Sequence, residues 1–113
     1  MLSLAIISDI HGCYPALQET LRHAEQFQPD YYLLLGDILN HGPRNPIPAG
    51  YAPPEVAALL NPLRAKIIAV RGNCDSEVDQ MLLEFPMTAP WQQVLSERAR
   101  LFLTHGHLYS PEK

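Results

Sequence analysis

Cysteine is scarce in this chain, and its placement excludes two kinds of structure. The 113 residues contain two cysteines, Cys13 and Cys74, and no Cys-x-x-Cys pair. A framework of disulfide bonds, or a zinc site built from thiolates, needs more cysteines at closer spacing. We therefore expect neither, and the core must be held by apolar packing.

Long apolar runs and basic tracts are also absent. No stretch approaches the roughly 20 apolar residues of a membrane span, and no basic region precedes the first apolar run as it would in a signal peptide. The chain has 8 Lys and Arg against 12 Asp and Glu, a net charge of −4, and no basic patch with interleaved aromatic residues. We expect a cytoplasmic protein with neither a membrane nor a nucleic acid as partner.

What the chain does have is the composition of an ordinary globular domain. Hydrophobic residues make up 47% and charged residues 18%, which separates it from disordered chains. The length fits one domain. Proline is frequent, and five of the 11 prolines lie between Pro43 and Pro54. This cluster predicts an irregular surface loop from His41 to Pro54.

Buried strands and one-sided helices alternate along the chain. Short runs of branched apolar residues closed by turn residues predict strands. Apolar residues at helical spacing, such as Leu17 and Leu21 after Pro15, predict helices, and Ser76 with Asp79 resembles a capping box. The predicted strands cover residues 2–8, 31–35, 66–70, 93–95 and 99–103, and the predicted helices cover residues 15–27, 53–63 and 76–83.

This alternation favours a parallel sheet joined by right-handed crossovers. The last two strands surround a short polar turn, Ser96-Glu97-Arg98, and predict a hairpin that breaks the alternation. The expected fold class is therefore α/β, with a mixed, largely parallel sheet and flanking helices.

The first strand ends in Ser8-Asp9-Ile10-His11-Gly12. Asp9 and His11 project to the same side if the backbone is still extended there. They would then point into the crevice at the carboxyl end of the sheet, where open α/β folds bind their ligands. The alternative is a turn with a helix-capping Asp, and these five residues alone do not decide between the two.

Three further strands end in similar polar turns, Gly36-Asp37, Gly72-Asn73 and His105-Gly106-His107. The carboxyl ends of parallel strands lie along one edge, so these side chains should converge. Carboxylate, amide and imidazole groups together suit a borderline divalent ion such as Mn²⁺, Fe²⁺ or Zn²⁺. Individually, Asp37 and Asn73 could be ordinary turn residues and His105 a core histidine, but four such turns together favour a metal site.

The four turns resemble the motifs of the calcineurin-like metallophosphoesterases, D-x-H-G, G-D-x-x-N-H-G, G-N-C-D and H-G-H, in the same order. The resemblance covers essentially the whole chain and is greatest to small bacterial phosphodiesterases of the YfcE type. It implies the first part of the family's α/β/β/α sandwich.

The resemblance also implies a two-metal site. Asp9, His11 and Asp37 would hold one ion, and Asp37, Asn73 and His105 the other, with Asp37 as the bridging carboxylate. Two ions roughly 4 Å apart can share a hydroxide that attacks phosphorus. The implied activity is hydrolysis of a small phosphodiester, with Mn²⁺ as the expected ion and Fe²⁺ or Zn²⁺ as alternatives. His41, Arg44 and His107 would face the substrate.

The chain departs from the family pattern in two ways. Cys74 stands where many relatives carry a histidine, and a thiol is a weak hydrogen-bond donor, which favours diesters with good leaving groups over monoesters. The family's downstream G-H-x-H segment, which supplies one more ligand to each metal, is absent. We therefore expect residues 1–113 to be a single metallophosphoesterase domain without its carboxy-terminal part. Sheet edges left exposed would need another cover, such as a second copy of the chain.

Two other functions are compatible with this fold. One is an inactive truncated protein or a non-catalytic interaction module, as in the retromer scaffold subunit, which has lost metal ligands. Retention of all five ligand types here favours an enzyme. The other is a nuclease of the same superfamily, which the net charge of −4 disfavours.

Overall fold

The structure is a computed structural model that describes residues 2–43 and 46–108. Within these ranges the chain forms five strands, three α-helices and one 3-10 helix. In order, they are β1 (Leu4–Ile7), α1 (Tyr14–Glu25), β2 (Tyr31–Leu34), α2 (Pro53–Leu60), the 3-10 helix (Asn61–Lys66), β3 (Ile67–Ala69), α3 (Glu77–Leu82), β4 (Trp91–Leu95) and β5 (Arg100–Thr104).

The first three strands form a parallel sheet in the order β1-β2-β3. Leu4 pairs with Tyr31 at one end of β1 and Ile7 with Leu34 at the other. Parallel pairing requires crossovers of a dozen residues or more, which α1 and α2 provide. The carboxyl ends of the three strands therefore lie at one edge, as the sequence predicted.

The hairpin forms a sheet of its own. β4 and β5 are antiparallel, and in the described ranges they pair only with each other. Leu103 packs with Leu33 and Val70 in a small second core, so the hairpin covers the face of the parallel sheet that the helices leave open. The predicted α/β class is confirmed, but the antiparallel strands make a second layer instead of extending the parallel sheet.

The larger core lies between the parallel sheet and the helices. Leu17 and Leu21 of α1, Val56 and Leu60 of α2 and Leu34 of β2 are buried there. Phe27, predicted as the end of the first helix, lies beyond α1 and is 69% exposed. The second helix becomes 3-10 at Asn61, because Pro62 has no N–H to donate.

The predicted capping box at α3 is confirmed, with Asp in place of the usual Glu or Gln. The Asp79 N–H donates to Ser76 Oγ at 3.4 Å, and the Ser76 N–H donates to Asp79 Oδ2 at 3.2 Å. In the described part of the loop from His41, the chain is irregular up to Pro53, where α2 begins. Backbone pairing between Cys13 and Tyr51 ties this loop to the start of α1.

Candidate metal centre

The loops that follow β1 and β2 are joined by backbone hydrogen bonds. The Asp9 N–H donates to the Gly36 carbonyl at 3.1 Å, and the His11 N–H donates to the Asp37 carbonyl at 2.8 Å. The Gly12 N–H donates to the Ile38 carbonyl at 2.9 Å. These bonds continue the pairing of the strands beyond their ends, so three candidate ligands are held on one rigid edge.

Three of the candidate ligands have left-handed backbone conformations. The φ angles are 57° at Asp9, 50° at His11 and 56° at Asp37, and Gln28 is the one other described non-glycine residue with positive φ. Such a conformation costs about 1–2 kcal/mol per residue, and residues of this kind cluster at functional sites. Of the two alternatives left open for Asp9 and His11, the backbone is not extended: their side chains meet because the chain turns.

Asp37 lies at the centre of the cluster and is almost fully buried, with 3% of its surface exposed. Its Oδ1 accepts a hydrogen bond from the Cys74 N–H at 2.8 Å. Its Oδ2 lies 3.2 Å from His105 Nε2 and 3.6 Å from His11 Nε2. Gly72 makes room for this carboxylate, because a Cβ atom at that position would collide with Asp37 Oδ1.

Both histidines are oriented through their Nδ1 atoms. His11 Nδ1 donates to the Asn40 carbonyl at 2.9 Å, and His105 Nδ1 donates to the Leu35 carbonyl at 2.8 Å. A carbonyl only accepts, so Nδ1 is the donor in each of these bonds, and in the neutral form of the ring Nε2 then carries no proton and its lone pair faces the carboxylates. This is the usual arrangement of histidines that bind metals.

Asp9 is the most exposed of these groups, with 53% of its side chain accessible. Its Oδ1 lies 3.3 Å from His11 Nε2 and 3.9 Å from His105 Nε2, and Ser8 Oγ donates to its Oδ2 at 2.6 Å. Partial burial would raise the pKa of Asp9, but the Ser8 hydroxyl and the two histidines outweigh it, so the pKa lies below its ordinary value.

Two groups of three side chains in the described ranges could each hold a metal ion. One consists of Asp9, Asp37 and His105, and the other of His11, Asp37 and Cys74, with the ligand atoms of each group within 4.8 Å of one another. Asp37 belongs to both. Carboxylate oxygens and imidazole nitrogens converge here, and none of their described ion pairs involves a lysine or an arginine. Such a set of ligand atoms fits a divalent cation.

The grouping differs from the predicted ligand sets in two members. Cys74 joins His11 where the prediction had Asp9, and Asp9 joins His105 where the prediction had Asn73. His11 Nε2 nevertheless lies 3.3 Å from Asp9 Oδ1. Burial and the neighbouring Asp37 charge raise the pKa of the Cys74 thiol, which agrees with its predicted character as a neutral thiol. Asn73 is exposed in the same turn, and its part as a ligand stays a prediction.

The three predicted substrate-facing residues have different outcomes. His41 is partly buried, with its ring 5.2 Å from that of Tyr51. The His107 ring lies 5.4 Å from the His105 ring, and its Nδ1 is buried without a hydrogen-bond partner among the described residues. Arg44 lies outside the described residues. Their roles toward a substrate stay predictions.

The sequence reasoning assigned no role to Asp75, which the structure places directly behind Asp37. Its carboxylate is buried and accepts the N–H groups of Asp37, Ile38 and Gly72. The signal available in the sequence was its position at the end of the Gly-Asn-Cys-Asp turn. Acidic residues in turns often bind backbone N–H groups, but partners nearly 40 residues away cannot be read from that pattern.

The longest helix in the described ranges, α1, has 12 residues, and no helix there combines the length and apolar character that a membrane crossing needs.

Comparison with known proteins gives a consistent result. A family model described as calcineurin-like phosphoesterase matches residues 2–113. Phosphodiesterase YfcE of Escherichia coli K12 and that of E. coli O157:H7 are each 62% identical to the chain over 112 residues. Those residues are 99% of this chain and 61% of each relative. The solved structure of E. coli YfcE, described as a phosphoesterase, matches with a TM-score of 0.95 and 60% identity, over 98% of this chain and 61% of that one.

Proposed function

This chain belongs to the calcineurin-like phosphoesterase family, and from that premise we propose that it supplies a two-metal centre for the hydrolysis of phosphodiesters. The observation that carries the proposal is the position of Asp37. Its buried carboxylate is common to both groups of candidate ligands, as a bridging ligand must be. Asp9, His11, Asn73 and His105 would complete the set.

Two divalent ions bound there would activate a water molecule for attack on phosphorus and stabilise the charge on the attacking and leaving oxygens. The residues of the chain fix the geometry. The carbonyls of Asn40 and Leu35 hold the rings of His11 and His105, and the Cys74 N–H holds one oxygen of Asp37. The other oxygen of Asp37 is thereby left facing both rings.

Mn²⁺ is the ion we propose, with Fe²⁺ and Zn²⁺ as alternatives. Carboxylate, amide and imidazole ligands suit all three ions, whereas zinc and softer ions gain more from a thiolate. The raised pKa of Cys74 keeps its thiol protonated in the metal-free chain. Binding of a metal through this sulfur would first require loss of that proton.

A small phosphodiester is the substrate class we propose. The relatives carry the name phosphodiesterase, but the chain spans about three fifths of their length, so the activity of the whole protein is part of this proposal. His41, Arg44 and His107 would face the phosphate. The net charge of −4 makes a long polyanion such as nucleic acid a poor substrate.

The test is hydrolysis of a bis-aryl phosphodiester by the chain with and without Mn²⁺. We expect the activity to require the metal and to fall by more than about 100-fold in Asp37→Ala, because even groups that only support a metal ligand cost about 10- to 100-fold when removed. Asp79→Asn is the matched control, since Asp79 is also a buried acid but belongs to neither ligand group.

Activity that survives Asp37→Ala would contradict the bridging role. A chain that purifies without stoichiometric metal, binds none when Mn²⁺ is added and hydrolyses nothing would instead be the non-catalytic module of the same fold.

A further inference from the structure

Asp75 is a buried carboxylate whose hydrogen-bond partners among the described residues are backbone N–H groups. It is 8% exposed. Its Oδ2 accepts the Asp37 N–H at 2.7 Å and the Gly72 N–H at 2.6 Å, and its Oδ1 accepts the Ile38 N–H at 3.0 Å. Hydrogen bonds to an ionised acceptor are about twice as strong as neutral ones. One side chain therefore joins the end of β2 to the end of β3.

The turn that carries Asp75 also holds the side chain of Asp37. The Cys74 N–H donates to Asp37 Oδ1 at 2.8 Å, while Asp75 accepts the N–H of Asp37 itself. Two successive residues thus hydrogen-bond to Asp37: Asp75 to its backbone N–H and Cys74 to one of its carboxylate oxygens. The second carboxylate oxygen is the one that faces His11 and His105.

These hydrogen bonds are important for the conformation of Asp37, because its backbone is strained. Its φ of 56° lies in the left-handed region, which a non-glycine residue keeps only when its surroundings enforce it. The N–H groups of Asp37 and Ile38 are the two that Asp75 binds on that segment. Without these bonds, the segment would keep the Cys74 N–H bond to the Asp37 side chain and the bonds that the carbonyls of Asp37 and Ile38 accept from the loop after β1. The N–H groups of Asp37 and Ile38 would lose their acceptor.

We propose that Asp75 is a positioning residue for the metal centre: it holds Asp37 in the left-handed conformation that aims the carboxylate at both groups of ligands. The effect of Asp75 on metal binding rests on the proposed function. Its effect on the conformation of Asp37 rests on the hydrogen bonds alone. A carboxylate is required because it offers acceptors to all three N–H groups. The amide of an asparagine would turn a donor toward at least one of them.

The first measurement is the affinity of the metal-free 113-residue chain for Mn²⁺ by calorimetric titration. Asp75→Asn should weaken binding by about 10- to 100-fold, as expected for a group that orients a metal ligand. Asp79→Asn, which alters an equally buried acid, should leave the affinity unchanged. Should Asp75→Asn fail to fold, Asp75→Glu takes its place, since the extra methylene moves the carboxylate out of the same three bonds.

The second measurement needs no metal. The amide protons of Asp37, Ile38 and Gly72 should exchange with solvent at least several-fold faster in the Asp75 variant than in Asp79→Asn, because they lose their acceptor. Unchanged Mn²⁺ affinity together with unchanged exchange at Asp37 would overturn the inference. Absence of Mn²⁺ binding in the unsubstituted chain would instead contradict the proposed function, and exchange at Asp37 would still decide whether Asp75 holds it.

Discussion

A role for Asp37 as a shared metal ligand places one requirement on its side chain and another on its backbone. Its carboxylate must lie between two imidazoles, and its backbone must keep a φ of 56°. The first is met by His11 and His105, whose Nε2 atoms lie within 3.6 Å of Oδ2. The second is met from behind by Asp75. The position of the Asp37 carboxylate therefore depends on the backbone hydrogen bonds that Asp75 accepts.

Asp79 gives a prediction about pH that concerns stability alone. Burial raises the pKa of its carboxyl, the Asp75 charge adds to the increase, and the hydrogen bonds from Ser76 offset it only in part. The folded chain thus holds this proton more tightly than the unfolded chain does. Asp79 therefore contributes stability below its unfolded pKa and loses that contribution as the pH rises through the folded pKa.

Asparagine cannot ionise but can still accept the Ser76 N–H. The free energy of unfolding of Asp79→Asn, relative to the unsubstituted chain, should therefore increase between about pH 3 and about pH 7. Urea unfolding at a series of pH values measures it. A difference that stays constant or decreases over this range would show that the capping box outweighs burial.

At this scale the sequence predicts which residues meet but not how. Asp9, His11 and Asp37 converge because parallel strands end at one edge, and that follows from the pattern of strands and turns. His105 reaches the same edge from the antiparallel hairpin. The left-handed φ angles do not follow, since they depend on backbone bonds such as that from the Asp9 N–H to Gly36. Asp75 was missed for the same reason: two of its three partners, the N–H groups of Asp37 and Ile38, are remote in sequence.

Among the elements, the hairpin β4–β5 brings the last candidate ligand to the edge. His105 directly follows β5, and its Nδ1 bond to the Leu35 carbonyl joins the hairpin to the end of β2. Leu103, two residues earlier, is 6% exposed and packs with Leu33 and Val70. Docking of the hairpin on the parallel sheet thus sets the position of His105.

Leu103→Ala should lower the free energy of unfolding by about 2–5 kcal/mol, the usual range for a buried leucine. Phe102 is the matched control because it lies next to Leu103 on the opposite, exposed face of β5. Phe102→Ala should lower the free energy of unfolding by less, because Phe102 is 52% exposed. Its ring contact with Trp91 is of a kind worth about 0.5–1.5 kcal/mol. Denaturant unfolding of both variants measures the difference, and equal losses would mean that Leu103 does not anchor the hairpin.

The types of the elements could be predicted more fully than their ends. Every predicted strand and helix is present, because apolar periodicity reports burial directly. The ends moved by one to three residues where local chemistry intervened, as at Pro62, which changes the helix type, and at Glu25, where α1 ends before Phe27. The separate sheet of the hairpin could not be predicted from periodicity, which does not say which strands pair, whereas the resemblance to a two-sheet sandwich did imply a second sheet.

The whole molecule is a stack of layers whose shared edge carries the chemistry. Helices cover one face of the parallel sheet and the hairpin covers the other. The candidate ligands come from the ends of β1, β2, β3 and β5, and thus from both sheets. The family resemblance drawn from four short motifs is confirmed over residues 2–113, and those motifs are the four strand ends.

The central claim is that one carboxylate, Asp37, is shared by two divalent ions. Electron paramagnetic resonance of the metal-free chain titrated with Mn²⁺ tests it most directly, because two Mn²⁺ ions bridged by a ligand couple magnetically. We expect the spectrum of a coupled pair in the unsubstituted chain and its loss in Asp37→Ala. A spectrum of isolated bound Mn²⁺ in the unsubstituted chain, or a coupled pair that persists in Asp37→Ala, would contradict the claim.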